Sequence, residues 1–149
     1  MPVNIAIAFD PGDTTGWATF NFDTGEDIQE GQVDHLEMPE WLTLRNSFRP
    51  RVKRIIIEDF RLLGAKAIQQ TGSRFLAVQV IGMIRLWAWP ERLPITLQAP
   101  NIKPIAERIS GRKPVGAHSK SHSVDAYNHG VYWLRKNNKY TTRLERGEL

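Results

Sequence analysis

The sequence contains no cysteine. That excludes disulfides and thiolate metal sites, and it suits a cytoplasmic protein. No apolar run reaches the roughly 18 residues that a membrane span requires. The longest candidate, 75–89, is broken by Gln79 and Arg85. The amino terminus lacks a basic segment followed by an apolar one, so no secretory signal is expected. There is no internal repeat and no low-complexity stretch. What is present, 149 residues with 41% hydrophobic and 24% charged, is enough for one domain with its own core. Acidic residues number 16 against 20 lysines and arginines, leaving a net charge of +4. Such an excess favours an anionic partner, and it equally describes an ordinary basic surface.

The chain is organised around residues 4–20. Ile5, Ala6, Ile7, Ala8 and Phe9 form an apolar run that predicts a buried strand, with the carboxylate of Asp10 at its end. Pro11 and Gly12 are turn residues, and 16–20 predicts a second strand coming back. An acid held against a core is costly unless a cation meets it, which makes Asp10 the anchor. A turn over 21–26 and a third strand over 27–33 extend the antiparallel meander. Pro39 opens a short predicted helix, 40–48, and Pro50 closes it. Ile55, Ile56 and Ile57 predict a strand buried on both faces, with Glu58 and Asp59 at its end. Residues 60–72 show no clear period and read as a loop or an irregular helix start.

The strongest helical signal covers 73–89, with Ser73 at one end and Trp89 at the other. Leu76, Val80, Met83, Ile84 and Trp87 share one stripe, while Phe75, Val78, Ile81 and Leu86 add apolar surface outside it. A helix apolar on more than one side needs cover on more than one side, from its own sheet or from a second subunit. A short strand over 95–98, a short helix over 101–109 and a basic loop over 110–121 follow. The last helix, 123–135, carries Val124, Tyr127, Val131 and Leu134 on one face. One domain is thus expected over 1–135, followed by a basic polar tail, 136–149.

Three acids stand at predicted element ends: Asp10, Glu58 and Asp125. His122 precedes Asp125 by three residues and shares its helix face. Clustered carboxylates repel, and Mg²⁺, which prefers carboxylate oxygens and water, is a usual remedy. Two such ions can activate a water and stabilise the leaving oxygen of a phosphodiester. Taken singly, each residue has a plainer explanation. Asp10 would cap a turn, Glu58 would pair with Arg54 or Arg61, Asp125 would favour the helix dipole, and His122 would be a surface or cap residue. Their order, each at an element boundary, is harder to explain one residue at a time.

The ordered motifs resemble a known family. They are Asp-Pro-Gly-Asp-Thr-Thr-Gly-Trp-Ala from Asp10, Ile-Ile-Ile-Glu-Asp from Ile55, Gln-Ala-Pro-Asn-Ile-Lys from Gln98, and His-Ser-Val-Asp-Ala from His122. Over roughly 3–134 the chain resembles the RuvC-type Holliday junction resolvases of the ribonuclease H-like superfamily. The resemblance implies an α/β ribonuclease H-like fold, a five-stranded mixed sheet with three antiparallel strands and then two parallel, flanked by helices. It implies an endonuclease of branched DNA that uses two Mg²⁺ or Mn²⁺ ions per active site. Asp10, Glu58, His122 and Asp125 match its catalytic metal-binding positions, and Lys103 a basic position near the scissile phosphate. Paired incisions imply a homodimer, here assigned to the helix between Ser73 and Trp89. Between Lys103 and His122 the chain is shorter than bacterial RuvC. It lacks that enzyme's helix and Gly-rich stretch and has Gly111, Arg112, Lys113 and Pro114 instead, closer to compact phage-encoded relatives.

Two basic clusters fit a nucleic-acid surface: Arg45, Arg49, Arg51, Lys53 and Arg54, and Lys103, Arg108, Arg112, Lys113 and Lys120 around the loop before the last helix. DNA contacts are expected from Arg61, Lys66, Lys103, Arg108, Arg112, Lys113, His118 and Lys120. Phe60 would either stack on bases at a branch point or pack in the core. The turn at Asp10 also resembles the phosphate loop of actin-like ATPases and sugar kinases, but 149 residues are too few for their two lobes. The same residues are compatible with a nuclease of flaps, forks or RNA, and with a non-catalytic DNA-binding module of the same fold.

Overall fold

The computed structural model describes residues 2–59, 71–114 and 121–137. Five strands make one sheet in the order β3-β2-β1-β4-β5: β1 (Ile5–Asp10), β2 (Thr14–Asn21), β3 (Asp27–Asp34), β4 (Val52–Glu58) and β5 (Ile95–Gln98). The first three are antiparallel, β4 runs parallel to β1, and β5 runs parallel to β4. This is the mixed sheet expected from the resemblance. The α-helices among the described residues are α1 (Met38–Thr43), α2 (Thr71–Ala88), α3 (Lys103–Ser110) and α4 (Ser121–Lys136).

Strand alternation divides the core into two layers. Ile5, Ile7 and Phe9 of β1 join Ile55 and Ile57 of β4 in a layer closed by Trp41 and Leu42 of α1 and by Val80, Ile84 and Trp87 of α2. Ala6 and Ala8 point the other way and, with Ala18, Phe20 and Ile56, pack against Ala126, Tyr127, Val131 and Leu134 of α4. The alanines matter because small side chains let a helix lie close to a sheet. Asp10, Arg54, Glu58 and Gln98 share the parity of this second face. So the polar strand ends turn toward α4 and not toward the large apolar layer.

Two glycines sit where α4 comes nearest. A Cβ at Gly16 would run into the backbone carbonyl of His122, and one at Gly130 would run into the ring of Phe20. The first turn of α4, which carries His122 and Asp125, is seated directly on β2.

Some boundaries differ from expectation. The helix predicted over 40–48 ends at Thr43, and a 3-10 turn, Asn46–Arg51, contains Pro50 rather than stopping before it. Arg45 leaves helical geometry at φ −108°, ψ 14°. Its guanidinium lies 3.8 Å from the Trp41 ring centre and donates to the Trp41 carbonyl at 3.0 Å. The helix predicted over 101–109 is a 3-10 turn, Pro100–Ile102, followed by α3. Residues 71 and 72, read as loop, begin α2. The rest of that loop, 60–70, and the tail beyond 137 lie outside the described residues.

The first basic cluster is not an open cationic stripe. Arg49 donates to the Trp87 carbonyl at 3.2 Å and Arg51 to the Val3 carbonyl at 2.9 Å. Arg54 bonds Thr96 and lies 5.1 Å from the Trp133 ring centre. These side chains cover aromatic rings and close backbone carbonyls, a use the sequence alone does not reveal.

Gly16→Ala should destabilise the protein by about 3 kcal/mol, because the obstructing group is backbone and cannot rotate away. Urea unfolding measures it. A loss below about 0.5 kcal/mol would mean that α4 is not seated as described.

Candidate active site

Because β1 and β4 run parallel with Phe9 paired to Ile57, the next residue on each strand is an acid, Asp10 or Glu58. Both face α4. His122 Nδ1 lies 3.3 Å from Asp10 Oδ2. Lys103, the first residue of α3, places Nζ 3.2 Å from Glu58 Oε1 and 3.6 Å from Asp125 Oδ2. The five residues expected to form the site, Asp10, Glu58, Lys103, His122 and Asp125, therefore meet at one end of the sheet.

The mount of α4 is built from β2 and β3. Gly16 leaves room for its first turn. Gln32 of β3, paired with Gly16 across the sheet, accepts from the N–H groups of His122 at 3.1 Å and Ser123 at 3.3 Å. One side chain thereby takes up two of the donors that a helix start leaves unpaired. Sequence reasoning misses Gln32, because a polar residue in a predominantly exposed strand carries no signal of its own.

Charge dominates the chemistry. Two carboxylates about 4 Å apart repel by about 4 kcal/mol at an effective dielectric constant of 20. Asp10 responds with a pKa pushed from 3.8 to about 7, first by burial and then by Glu58 and Asp125, although His122 pulls it down. Burial also drives Glu58 upward, but His129, Asp10 and Lys103 outweigh it and hold the carboxyl at about 2. Burial likewise raises Asp125, partly offset by Lys103. The bond to Asp10 raises His122 against the opposing effect of burial. Lys103 is desolvated yet raised by the acids around it. Asp10 and Glu58 thus divide one proton between them, with Asp10 its holder.

The donor set suits a hard divalent cation: three carboxylates, one half-exposed imidazole, and a Lys ammonium already standing among the acids as a positive charge. Glu58 Oε2 is buried with no hydrogen-bond partner among the described residues. A second acidic group, Asp13, Asp34 and His35, has its ligand atoms within 4.8 Å of one another near the same end of the sheet, but both its acids are exposed.

The expected DNA contacts fare unequally. Arg108 and Lys113 are exposed and, with Pro104, Glu107, Gly111 and Arg112, line an open concavity of about 580 Å³. Arg112 is engaged: it grips Glu30 at 2.6 and 3.0 Å and lies 4.4 Å from the Tyr127 ring centre. Buried Asn128 of α4 fastens this loop through Ser110 and the Arg112 carbonyl. Phe60, Arg61, Lys66, His118 and Lys120 lie outside the described residues. Sequence reasoning also misses His129 and Gln98, which stand behind Glu58. The available signal is spacing: His129 is four residues after Asp125 and seven after His122, on one helix face.

No family model and no curated protein matches the sequence. Solved structures do match. RuvC of T. thermophilus in complex with a Holliday junction substrate is 12% identical, with a TM-score of 0.62, over 91% of this chain and 96% of that one. The fowlpox virus resolvase with its Holliday junction DNA is 16% identical, TM-score 0.56, over 89% and 98%. Another structure of the fowlpox virus Holliday junction resolvase is 13% identical, TM-score 0.57, over 89% and 99%. The likeness is one of fold: this chain has the ribonuclease H-like fold of the RuvC-type resolvases.

A carboxyl whose folded pKa exceeds its unfolded value adds stability at low pH, lost as the pH rises through the folded value. For Asp10 the window is from 3.8 to about 7, whereas the opposite contribution of Glu58 is lost only below its ordinary 4.5. In EDTA the protein should therefore melt at a higher temperature at pH 5 than at pH 8. Asp10→Asn should stabilise it by about 2 kcal/mol at pH 8 and flatten the profile. Added Mn²⁺ should stabilise more at pH 8 than at pH 5, since ligands must shed protons. Thermal melts at the two pH values read all three.

Proposed function

We propose that this chain is a divalent-metal-dependent, structure-selective endonuclease that cleaves branched DNA, with the four-way junction as its substrate. The observation that carries this reading is the meeting of Asp10, Glu58, His122 and Asp125 with Lys103 at one sheet end. Two of the similar solved structures hold Holliday junction DNA, which supports branched DNA as the partner.

In this reading Asp10, Glu58 and Asp125 hold the metal, two ions in all, with Mg²⁺ or Mn²⁺ as the cofactor. Such ions supply Lewis-acid neutralisation of phosphate charge and a water made acidic enough to react near neutral pH. His122, about half exposed and 3.3 Å from Asp10, is a further ligand or orients the attacking water. Lys103 lies at the rim, its side chain 33% exposed, and its ammonium turns from the acids toward the phosphate charge that develops during cleavage. Apolar packing of Ala6, Ala8 and Ala126 beneath the acids keeps the geometry fixed before substrate arrives. Arg108 and Lys113, beside the site, attract the DNA backbone.

We also assign α2 to a homodimer interface. Its buried side is satisfied by the sheet, yet Phe75 (58%), Val78 (49%) and Leu86 (75%), with Trp89 (67%) just beyond its end, remain exposed along the helix. Two copies related by a two-fold axis through this strip would present two sites, as paired incision of a junction requires.

A labelled four-way junction should receive symmetric paired nicks with Mg²⁺ or Mn²⁺ and none in EDTA. Asp10→Asn should slow incision by about a thousandfold or more. Leu86→Glu should convert a dimer to a monomer in sedimentation and replace paired cuts by single nicks. Cutting only of flaps, forks or RNA would keep the site and change the substrate; junction binding without cutting under either metal would reduce the chain to a non-catalytic module.

A further inference from the structure

Behind Glu58 lies a buried polar pair whose hydrogens can be assigned. His129, on α4, is fully buried, and Gln98, the last residue of β5, is 7% exposed. Gln98 Nε2 lies 2.9 Å from the His129 carbonyl oxygen and 3.1 Å from His129 Nδ1. A carbonyl can only accept, so the atom facing it is the amide nitrogen of Gln98 and not its oxygen. That NH₂ has two hydrogens and two neighbours. One hydrogen goes to the carbonyl and the other to Nδ1, which must then be the bare, accepting nitrogen. The imidazole hydrogen is left on Nε2, which lies 3.5 Å from Glu58 Oε2. Neither of these two buried atoms makes a hydrogen bond to the described residues, so at 3.5 Å they face one another without a closed bond.

The two oxygens of Glu58 are thereby given different work. Oε2 faces inward to the Nε2–H of His129, and Oε1 faces outward, 3.2 Å from the ammonium of Lys103. We propose that Gln98 and His129 are positioning residues that fix which oxygen Glu58 presents to a divalent cation. Gln98 sets the tautomer of His129, whose Nε2–H then stands opposite Oε2 and leaves Oε1 as the oxygen that Glu58 turns outward. The inference rests on reading the acid cluster as a metal site, and it adds two residues from β5 and α4 that touch no substrate themselves. The placement is tight in the chain as well. Gln98 is paired with Glu58 across the β4–β5 ladder, and Asp125 is one helical turn before His129.

Two measurements on the full-length protein test it. Imidazole ¹⁵N spectra, metal-free and with Mg²⁺, should show His129 with its hydrogen on Nε2. Gln98→Met, which removes the amide at similar volume, should weaken Mn²⁺ binding by about 10-fold or more in calorimetry. Junction binding without divalent ions should stay unchanged, and the cleavage rate should recover at saturating Mn²⁺. His129→Phe should weaken Mn²⁺ binding as well, and His129→Gln, whose amide can donate from nearly the same point as Nε2, should restore most of it. An Nδ1-protonated tautomer, or folded Gln98→Met and His129→Phe proteins with wild-type Mn²⁺ affinity, would overturn the assignment while leaving the metal site intact. Wild-type protein that binds no Mn²⁺ would remove the metal site and this inference together.

Discussion

Asp10, Glu58 and Asp125 carry three acidic groups into a partly dehydrated corner, where neighbouring like charges cost several kilocalories per mole. Only positive charge or retained protons can relieve that cost. Both remedies are present in the chain itself: the ammonium of Lys103 lies within 3.6 Å of two of the acids, and Asp10 holds a proton up to about pH 7. Compensation of this kind is provisional, because a proton and a flexible lysine are both easily displaced by a divalent cation. Stability and proposed function meet here. The cluster that makes the metal-free fold electrostatically strained is the one that would bind metal.

The rest of the molecule holds that corner still. Parallel β1 and β4 end in register and deliver two acids side by side. The alanines of β1 and β2, Gly16 and Gly130 let α4 approach closely enough to bring His122 and Asp125 over them. Gln32 ties down the start of that helix, while Asn128 ties the α3–α4 loop to its middle. The opposite face of the sheet takes the bulky aromatic and aliphatic residues with α1 and α2, so shape demands and chemical demands are met on different sides.

What can be read from the sequence follows from local pattern. The β1 and β4 apolar runs put Asp10 and Glu58 at strand ends, and three-residue spacing puts His122 and Asp125 on one helix face. The motifs' resemblance supplies the sheet order that pattern alone does not. Other features escape because their meaning is tertiary. The arginines between 45 and 54 look like a nucleic-acid stripe until Trp41, Trp87 and Trp133 are seen beneath them. Gln32, Gln98 and His129 look like ordinary polar residues until β3, β5 and α4 converge. Arg112 looks free for DNA until Glu30, distant in sequence, is seen to hold it.

The central claim is that the acids from β1, β4 and α4 form a metal site, and locating Mn²⁺ by anomalous scattering in crystals of the protein tests it most directly. A peak enclosed by the carboxylates of Asp10, Glu58 and Asp125, with Lys103 swung away, is the expected result. A peak only at the exposed group of Asp13, Asp34 and His35, or none with Lys103 still bridging Glu58 and Asp125, would contradict it.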